Sequence, residues 1–396
     1  MKQKENYNNT LVACFIGYIV QAIVNNFVPL LFLTFQSELG ISLEKVTLLV
    51  TFNFGIQLLV DFLSAKYVNK IGYRCSMIIA HVTVAAGLVG LTILPAIMGD
   101  AFVGLLIAVA IYAIGGGLIE VLVSPIVEAC PTKRKEAAMS LLHSFYCWGH
   151  VGVVLLSTIF FMVAGIENWR ILACLWAIIP LVNTFLFASV PIASLIEEGE
   201  EELSIGTLFK NKVFLLMLVL MVCAGASEQA VSQWASAFAE AGLGVSKTVG
   251  DLAGPLLFAT LMGLSRLLYG KYSEHFKLER LMFFSTLLCV FGYLLTSLSS
   301  IPILGFVGCA VCGFSVGILW PGTFSLSTKA IKGGGTAMFA FLALAGDLGC
   351  GSGPTFVGMV SSTAGQNLKM GILAAVVFPI LLLIGLTVHG RLLRNK

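Results

Sequence analysis

The chain has 396 residues, of which 58% are hydrophobic and 11% charged, with a mean hydropathy of +0.98. A soluble domain carries about a quarter charged residues, so a water-soluble globular protein is excluded and the solvent around much of this chain is lipid. The formal net charge of +3 says little; where the charges fall says more.

A run of about 20 apolar residues spans a bilayer as a helix. Twelve such runs lie at 11–37, 46–69, 74–97, 101–130, 137–165, 170–190, 212–241, 248–272, 279–299, 301–328, 334–362 and 368–390. The first is too long for a cleaved signal and lacks a small-residue cleavage site, so it reads as a span. Placing the N-terminus in the cytoplasm puts eighteen of the 23 Lys and Arg on the inner side. Only Lys45, Arg170, Lys247 and Lys369 fall outside, and Arg266 lies within a span. Cytoplasmic Lys and Arg excess sets orientation, so both termini are expected in the cytoplasm. The ten cysteines are scattered through apolar runs and read as packing residues, with no metal-ligand spacing among them.

Ionisable and polar side chains inside apolar runs are costly and mark solute or ion paths. The first span offers Gln21 and Asn25, one turn apart, with Asn26 and Pro29 beyond. Such amides bind a polyol without burying charge. Asp61 lies near the inner end of the second span. The fourth span contains Gly115-Gly-Gly-Leu-Ile-Glu120-Val-Leu-Val-Ser124-Pro125, then Glu128. Glu120 and Ser124 share a helix face. A buried carboxyl there could take a proton from one side and release it to the other; the alternative is a structural hydrogen bond to the first span at Asn25 or Asn26. On the fifth span His143, Tyr146 and His150 make one stripe, for proton or solute contact, or an interhelical hydrogen bond. The seventh carries Glu228, Gln229, Ser232, Gln233 and Trp234, and the tenth Trp320 and Phe324. Amides and a carboxylate beside aromatic rings suit a sugar-like ligand, although such rings also serve as packing. Asp347, in a glycine-rich stretch ending at Pro354, is a second coupling candidate. Asp61, Glu128 and Arg266 read as gate or structural pairing residues.

The acidic segment 191–211 divides the chain into a bundle at 1–190, a cytoplasmic linker and a bundle at 212–396. The halves echo each other: Gly117 and Pro125 in the fourth span match Gly313 and Pro321 in the tenth. The loop Ala65-Lys-Tyr-Val-Asn69-Lys70-Ile-Gly72-Tyr-Arg74 is echoed by Gly270-Lys-Tyr-Ser-Glu274-His275-Phe-Lys277, making Glu274 a further gate candidate. Repeated halves with a site at the repeat interface are a transporter design.

These loops resemble, in degraded form, the signature of the major facilitator superfamily, with Asn69 where that family usually has Asp and Ala65 where it has Gly. The fourth-span stretch, Gly225–Trp234, and Pro321–Lys329 are similar to the fucose–proton symporter branch. The resemblance implies an all-α membrane fold of twelve helices in two pseudo-symmetric halves, acting by alternating access, as a monomer in the cell membrane. It also implies import of a small polar, sugar-like solute with H+ or Na+ as the coupling ion. The branch carries an acid in its first helix; this chain has only amides there. A drug–proton antiporter would show Gly-Pro in the fifth span, which instead reads Gly149-His-Val-Gly-Val-Val-Leu-Leu-Ser157. A nutrient sensor on the same fold remains a rival reading. An enzyme is disfavoured, since neither HExxH nor a P-loop occurs, and no cofactor or nucleic-acid partner is expected.

Overall fold

The computed structural model describes residues 7–41, 43–132, 134–193, 203–235, 238, 247–299, 301–365 and 367–394. Lys2, Lys4, Lys133 and Lys396, the linker glutamates Glu197, Glu198, Glu200, Glu201 and Glu202, and the end of the seventh run lie outside them.

Sixteen α-helices follow one another among the described residues: α1 Asn8–Asn26, α2 Phe32–Leu39, α3 Leu43–Ile71, α4 Tyr73–Ile97, α5 Ala101–Ala129, α6 Lys135–Ala164, α7 Trp169–Ser189, α8 Ile205–Lys210, α9 Lys212–Ser232, α10 Lys247–Tyr272, α11 Leu278–Leu298, α12 Pro302–Val316, α13 Leu319–Ala330, α14 Gly335–Thr363, α15 Leu368–Ala374 and α16 Val377–Arg394. Among the described residues ten spans are long and apolar enough to cross a membrane. The 29-residue α3 and 26-residue α10, more polar along their length, stand where the other two of the twelve expected spans fall. Large apolar side chains lie fully open, among them Met162, Val163, Phe185, Phe284 and Ile303. Exposure on that scale fits lipid rather than water.

Among the described residues, three of the expected spans break beside a proline, and the seventh has a turn at Gln233–Trp234 with no proline near it. The first breaks after α1 into a 3-10 turn, Val28–Leu31, containing Pro29. The tenth breaks between α12 and α13, just before Pro321, and the twelfth between α15 and α16, just before Pro379. Proline has no N–H to offer the carbonyl four residues earlier and crowds it. Pro95, Pro125, Pro180 and Pro354 stay inside continuous helices, so proline alone does not decide the break. A minority of helices start on side-chain caps. Asp100 accepts from the Phe102 N–H at 2.8 Å, Asn211 from that of Val213 at 2.9 Å, and Asn367 from that of Lys369 at 3.1 Å. A single residue, Gly72, separates α3 from α4, and its φ of +87° is one that side-chain-bearing residues rarely adopt.

The chain forms two compact units. The first comprises Met1–Thr132, Phe145–Glu200 and Gly335–Ala340. In it α5 packs on α1, α3 and α4, and α7 on α1 and α4. A buried polar knot ties three of these helices. His81 on α4 bonds through Nδ1 to the Met77 carbonyl at 2.8 Å, so its Nε2 is left to accept from Asn183 Nδ2 on α7, also at 2.8 Å. Asn183 Nδ2 also donates to the Ala13 carbonyl of α1 at 3.0 Å. The start of α14 belongs to this unit: Thr336 donates to Asn69 Oδ1 at 2.8 Å and bonds to the Tyr73 hydroxyl.

At the far end of the same unit Glu38 accepts from the Trp169 indole at 2.8 Å and pairs with Arg170, whose guanidinium lies over the Trp169 ring. Partial burial pushes the Glu38 carboxyl up. The indole N–H and the guanidinium outweigh that and hold it below the usual range. A depressed pKa adds stability above the unfolded value that is lost as pH falls through the folded one. Glu38→Gln is therefore expected to flatten the acid limb of a thermal-unfolding pH profile below about pH 4, with little change at neutral pH. A limb identical to wild type would deny the pair any role.

The second unit comprises Lys133–Ser144, Glu201–Gly334 and Phe341–Lys396. Its helices α9 and α14 cross at glycines. A Cβ on Gly353 would lie 2.7 Å from the Ala226 carbonyl, and one on Gly349 would meet that of Val222. Small residues allow this close approach in membranes.

Candidate functional site

Most of the expected site residues fall in two polar clusters, one in each unit. In the first unit the cluster is a chain of amides ending on a carboxylate. Gln21 Nε2 donates to Glu120 Oε2 and to Gln57 Oε1, both at 2.8 Å. Gln57 Nε2 donates in turn to Asn25 Oδ1 at 2.8 Å, and Asn53 Nδ2 to the same oxygen at 3.0 Å. Gln21, Gln57 and Asn53 are buried; Asn25 and Glu120 are half-buried. Glu120 thus reaches α1, as its structural reading required, but through Gln21 rather than Asn25 or Asn26. Asn26 turns back on its own helix and donates to the Ala22 carbonyl at 2.8 Å.

Ser124, one turn along α5 from Glu120, is fully buried and bonds to the Tyr18 hydroxyl at 3.1 Å. Tyr18 meets the Tyr146 ring edge-on at 6.5 Å between centroids. Asp61 is buried on α3, one turn beyond Gln57, and Glu128 is half-buried near the end of α5.

The glycine run of α5 makes room for this chain. A Cβ on Gly116 would lie 2.9 Å from Val24 Cγ1, 3.1 Å from Gln21 Oε1 and 3.4 Å from Gln57 Cδ. Gly116→Ala is expected to cost about 1–3 kcal/mol by overpacking and to push the Gln21 amide off Glu120. Thermal unfolding in detergent checks the first part; wild-type stability would show that α1 gives way freely.

In the second unit the organising residue is Arg266 on α10, only 3% exposed. Its Nε donates to the Gly317 carbonyl at 2.8 Å, one Nη to the His143 carbonyl at 2.9 Å, and the other to Glu228 Oε2 at 3.2 Å. Gly317 stands four residues before Pro321, so its carbonyl is the one the proline cannot bond. Arg266 therefore fills the vacancy that lets α12 and α13 part. Its own backbone carbonyl accepts from Ser140 Oγ at 2.8 Å. The planar guanidinium offers several donors in a fixed fork, and here it fixes α6, α9, α10 and the α12–α13 break at one point. Arg266 thus pairs, as one of its two sequence readings had it, and its partners are Glu228 and two carbonyls.

Around the clamp, Gln229 Nε2 leans on Glu228 Oε1 at 3.4 Å, and Gln233 Nε2 donates to Gln229 Oε1 at 3.1 Å. The His143 ring stacks on Phe324 with centroids 5.9 Å apart, and Trp320 meets Phe324 at an angle. The Trp320 ring also covers Gly346, next to the buried Asp347. Trp234 sends its indole N–H to the Pro354 carbonyl of α14 at 2.9 Å. Both tryptophans are thus held against α14. Glu274 falls in the turn Ser273–His275, and its side chain lies outside the described residues.

Three participants escaped the sequence reading. Asn53 and Gln57 precede Asp61 at four-residue steps, a polar stripe on α3 that periodicity could have shown. Glu136 receives the Tyr269 hydroxyl at 2.5 Å and pairs with Lys329. Its signal was hidden among Lys133, Arg134 and Lys135. Arg134 caps the end of α10, donating to the Lys271 carbonyl at 2.9 Å. Among the described residues no cluster of His, Cys, Asp and Glu could hold a metal ion.

Several solved structures share this architecture. The transporter FucP, in its outward conformation, aligns with TM-score 0.82 at 15% identity, over 96% of this chain and 98% of its own. The proton:xylose symporter XylE aligns at 0.80 and 14%, covering 95% and 94%. The human organic anion transporter MFSD10 (TETRAN) aligns at 0.74 and 14%, covering 97% and 100%. No curated protein matches in sequence. The family profile of the Major Facilitator Superfamily matches residues 11–354. With ten apolar spans among its described residues and a family match over most of its length, the chain belongs to the Major Facilitator Superfamily of transporters.

Proposed function

We propose that this transporter carries a small polar, sugar-like solute inward together with a proton, by alternating access of two six-helix bundles at 1–190 and 212–396. The observation that carries the reading is the first unit's polar chain. It has one carboxylate, Glu120, contacted by an uncharged amide, and its further members are also amides. Uncharged donors and acceptors at membrane depth suit hydroxyls, and a carboxyl bonded to them suits a proton. FucP is described as a fucose:proton symporter and XylE as a proton:xylose symporter, which supports the same class here. In the second unit Gln229 and Gln233, beside the ion-paired Glu228, with His143, Trp320 and Phe324, would supply further hydroxyl partners and an aromatic wall. Asp347 is the second candidate proton carrier. Asp61, Glu128 and Glu274 would serve the gates. The protein would work as a monomer in the cell membrane with both termini in the cytoplasm, an orientation that the Lys and Arg distribution supports.

A thermal-shift panel of sugars, polyols, amino acids and lipophilic cations, at acid and neutral pH, tests the solute class. A ligand at 100 times its Kd stabilises by about 2.7 kcal/mol. Stabilisation by a sugar, followed by sugar-driven proton entry into liposomes, is the expected result. Stabilisation by lipophilic cations alone would overturn it.

A further inference from the structure

The first unit's amide chain has a direction, and the direction is set at one end. Both N–H groups of Gln21 are engaged, by Glu120 and by Gln57, while its Oε1 is buried with no hydrogen-bond partner. At the other end Asn25 Oδ1 takes two donors, from Gln57 and Asn53, while Asn53 Oδ1 is likewise buried and unpartnered. An ionised carboxylate can only accept, so it demands a donor from Gln21. Gln21 must then give its second N–H to Gln57, Gln57 gives to Asn25, and Asn25 is left with its Nδ2 outside the chain.

Protonation removes that demand, because a carboxylic acid has an O–H to donate. Turning Gln21 over brings its idle Oε1 to face both Glu120 and Gln57. An oxygen facing the Gln57 oxygen is repulsive, so Gln57 turns as well and donates to Gln21. The same argument turns Asn25, whose Nδ2 then donates to Gln57 Oε1 and to the idle oxygen of a turned Asn53. Every link is remade with opposite polarity. The two oxygens now without partners are the two that the reversed chain uses. Gly116 leaves the amides room to turn, since a Cβ there would lie 3.1 Å from Gln21 Oε1.

We propose that Gln21, Gln57 and Asn25 form a polarity relay that reads the protonation state of Glu120 and presents it at Asn25. The inference rests on the reading of Glu120 as the proton carrier. With Glu120 ionised, the half-buried Asn25 offers a solute its N–H; with Glu120 protonated, it offers its carbonyl. The proton stays on Glu120, and the amides rotate without breaking an N–H bond. Gln57 is accordingly a positioning residue for Asn25. Other titratable groups occur on α5 and the helices packed against it: Tyr18 on α1, Asp61 on α3, His81 on α4, and Tyr112 and Glu128 on α5 itself; Tyr146, against Tyr18, and His150 lie on α6. Tyr18 is held by Ser124, and His81 by Met77 and Asn183.

Infrared difference spectra of the full-length protein in lipid, recorded across a pH step with 13C in the side-chain amides of Asn and Gln, test this without any solute. In wild type a protonated-carboxyl band, absent from Glu120→Gln, is expected to appear together with a shift in the Asn25 carbonyl band, itself identified by its loss in Asn25→Leu. In Gln57→Leu the carboxyl band is expected to remain while the Asn25 shift is lost. Gln57→Met serves the same purpose should the leucine variant not fold. An Asn25 shift that survives in the Gln57 variants overturns the relay and leaves Glu120 as the carrier. A shift that survives in Glu120→Gln assigns the trigger to another acid or histidine, and overturns it too. If no carboxyl band appears at any pH, the proton-carrier reading fails first and the relay with it.

Discussion

Glu120→Gln is expected to abolish accumulation of solute against its gradient while leaving exchange of solute across the membrane intact. Moving one charge through roughly 100 mV is worth about 2.3 kcal/mol, which corresponds to about a 40-fold concentration ratio. The variant should bring that ratio to about one. Glutamine keeps an acceptor for the Gln21 N–H, whose bond to Glu120 measures 2.8 Å, so the geometry of the amide chain should survive. The measurement is uptake of labelled fucose or xylose into proteoliposomes, with and without a proton gradient, beside counterflow of the same sugar. Retained accumulation in the variant would remove Glu120 as the coupling group and pass that role to Asp347. Loss of both accumulation and counterflow would mean that the side chain holds the solute or the fold.

Arg266→Leu is expected to be the most destabilising single change in the second unit, by about 3–5 kcal/mol. Removing one member of a buried ion pair leaves the other charge without compensation, and Glu228 is 7% exposed. The Gly317 and His143 carbonyls also lose their donors. Adding Glu228→Leu should recover part of the loss, because it removes the stranded carboxylate. It should not recover all of it, because the two carbonyls stay unsatisfied, at about 1–3 kcal/mol each. Arg266→Lys should fall between, since one ammonium lacks the planar fork that reaches three acceptors. Thermal unfolding of the three variants in detergent decides the matter. A double variant no more stable than Arg266→Leu would show that the clamp acts through the helix break and not through the ion pair.

The fold was legible because hydropathy is a property of composition over some 20 residues, which no tertiary contact can reverse. The turn at Gly72 and the caps at Asp100 and Asn367, which were not read from the sequence, rest on equally local chemistry. The site was legible by residue type and not by partner. Glu120 stood out because a carboxylate is conspicuous in an apolar run, yet its neighbour Gln21 was one of three plausible amides on the same helix. Gln57 and Asn53 were passed over because neutral side chains at membrane depth carry a weaker signal than charges. Arg266 was read as a gate or pairing residue, but its partners were not read. The acceptor freed by Pro321 lies in sequence 51 residues from Arg266, and nothing local links them.

By itself, then, the sequence determined the membrane helices, their number, and which side chains had to find partners inside them. The sequence carries these because burial in lipid penalises every unmatched polar group, whatever the fold. Only the tertiary structure decided which partner each one found: Gln21 for Glu120, and Glu228 with two carbonyls for Arg266. A hydrogen bond depends on a distance of about 3 Å, and such distances arise from how helices far apart in sequence cross.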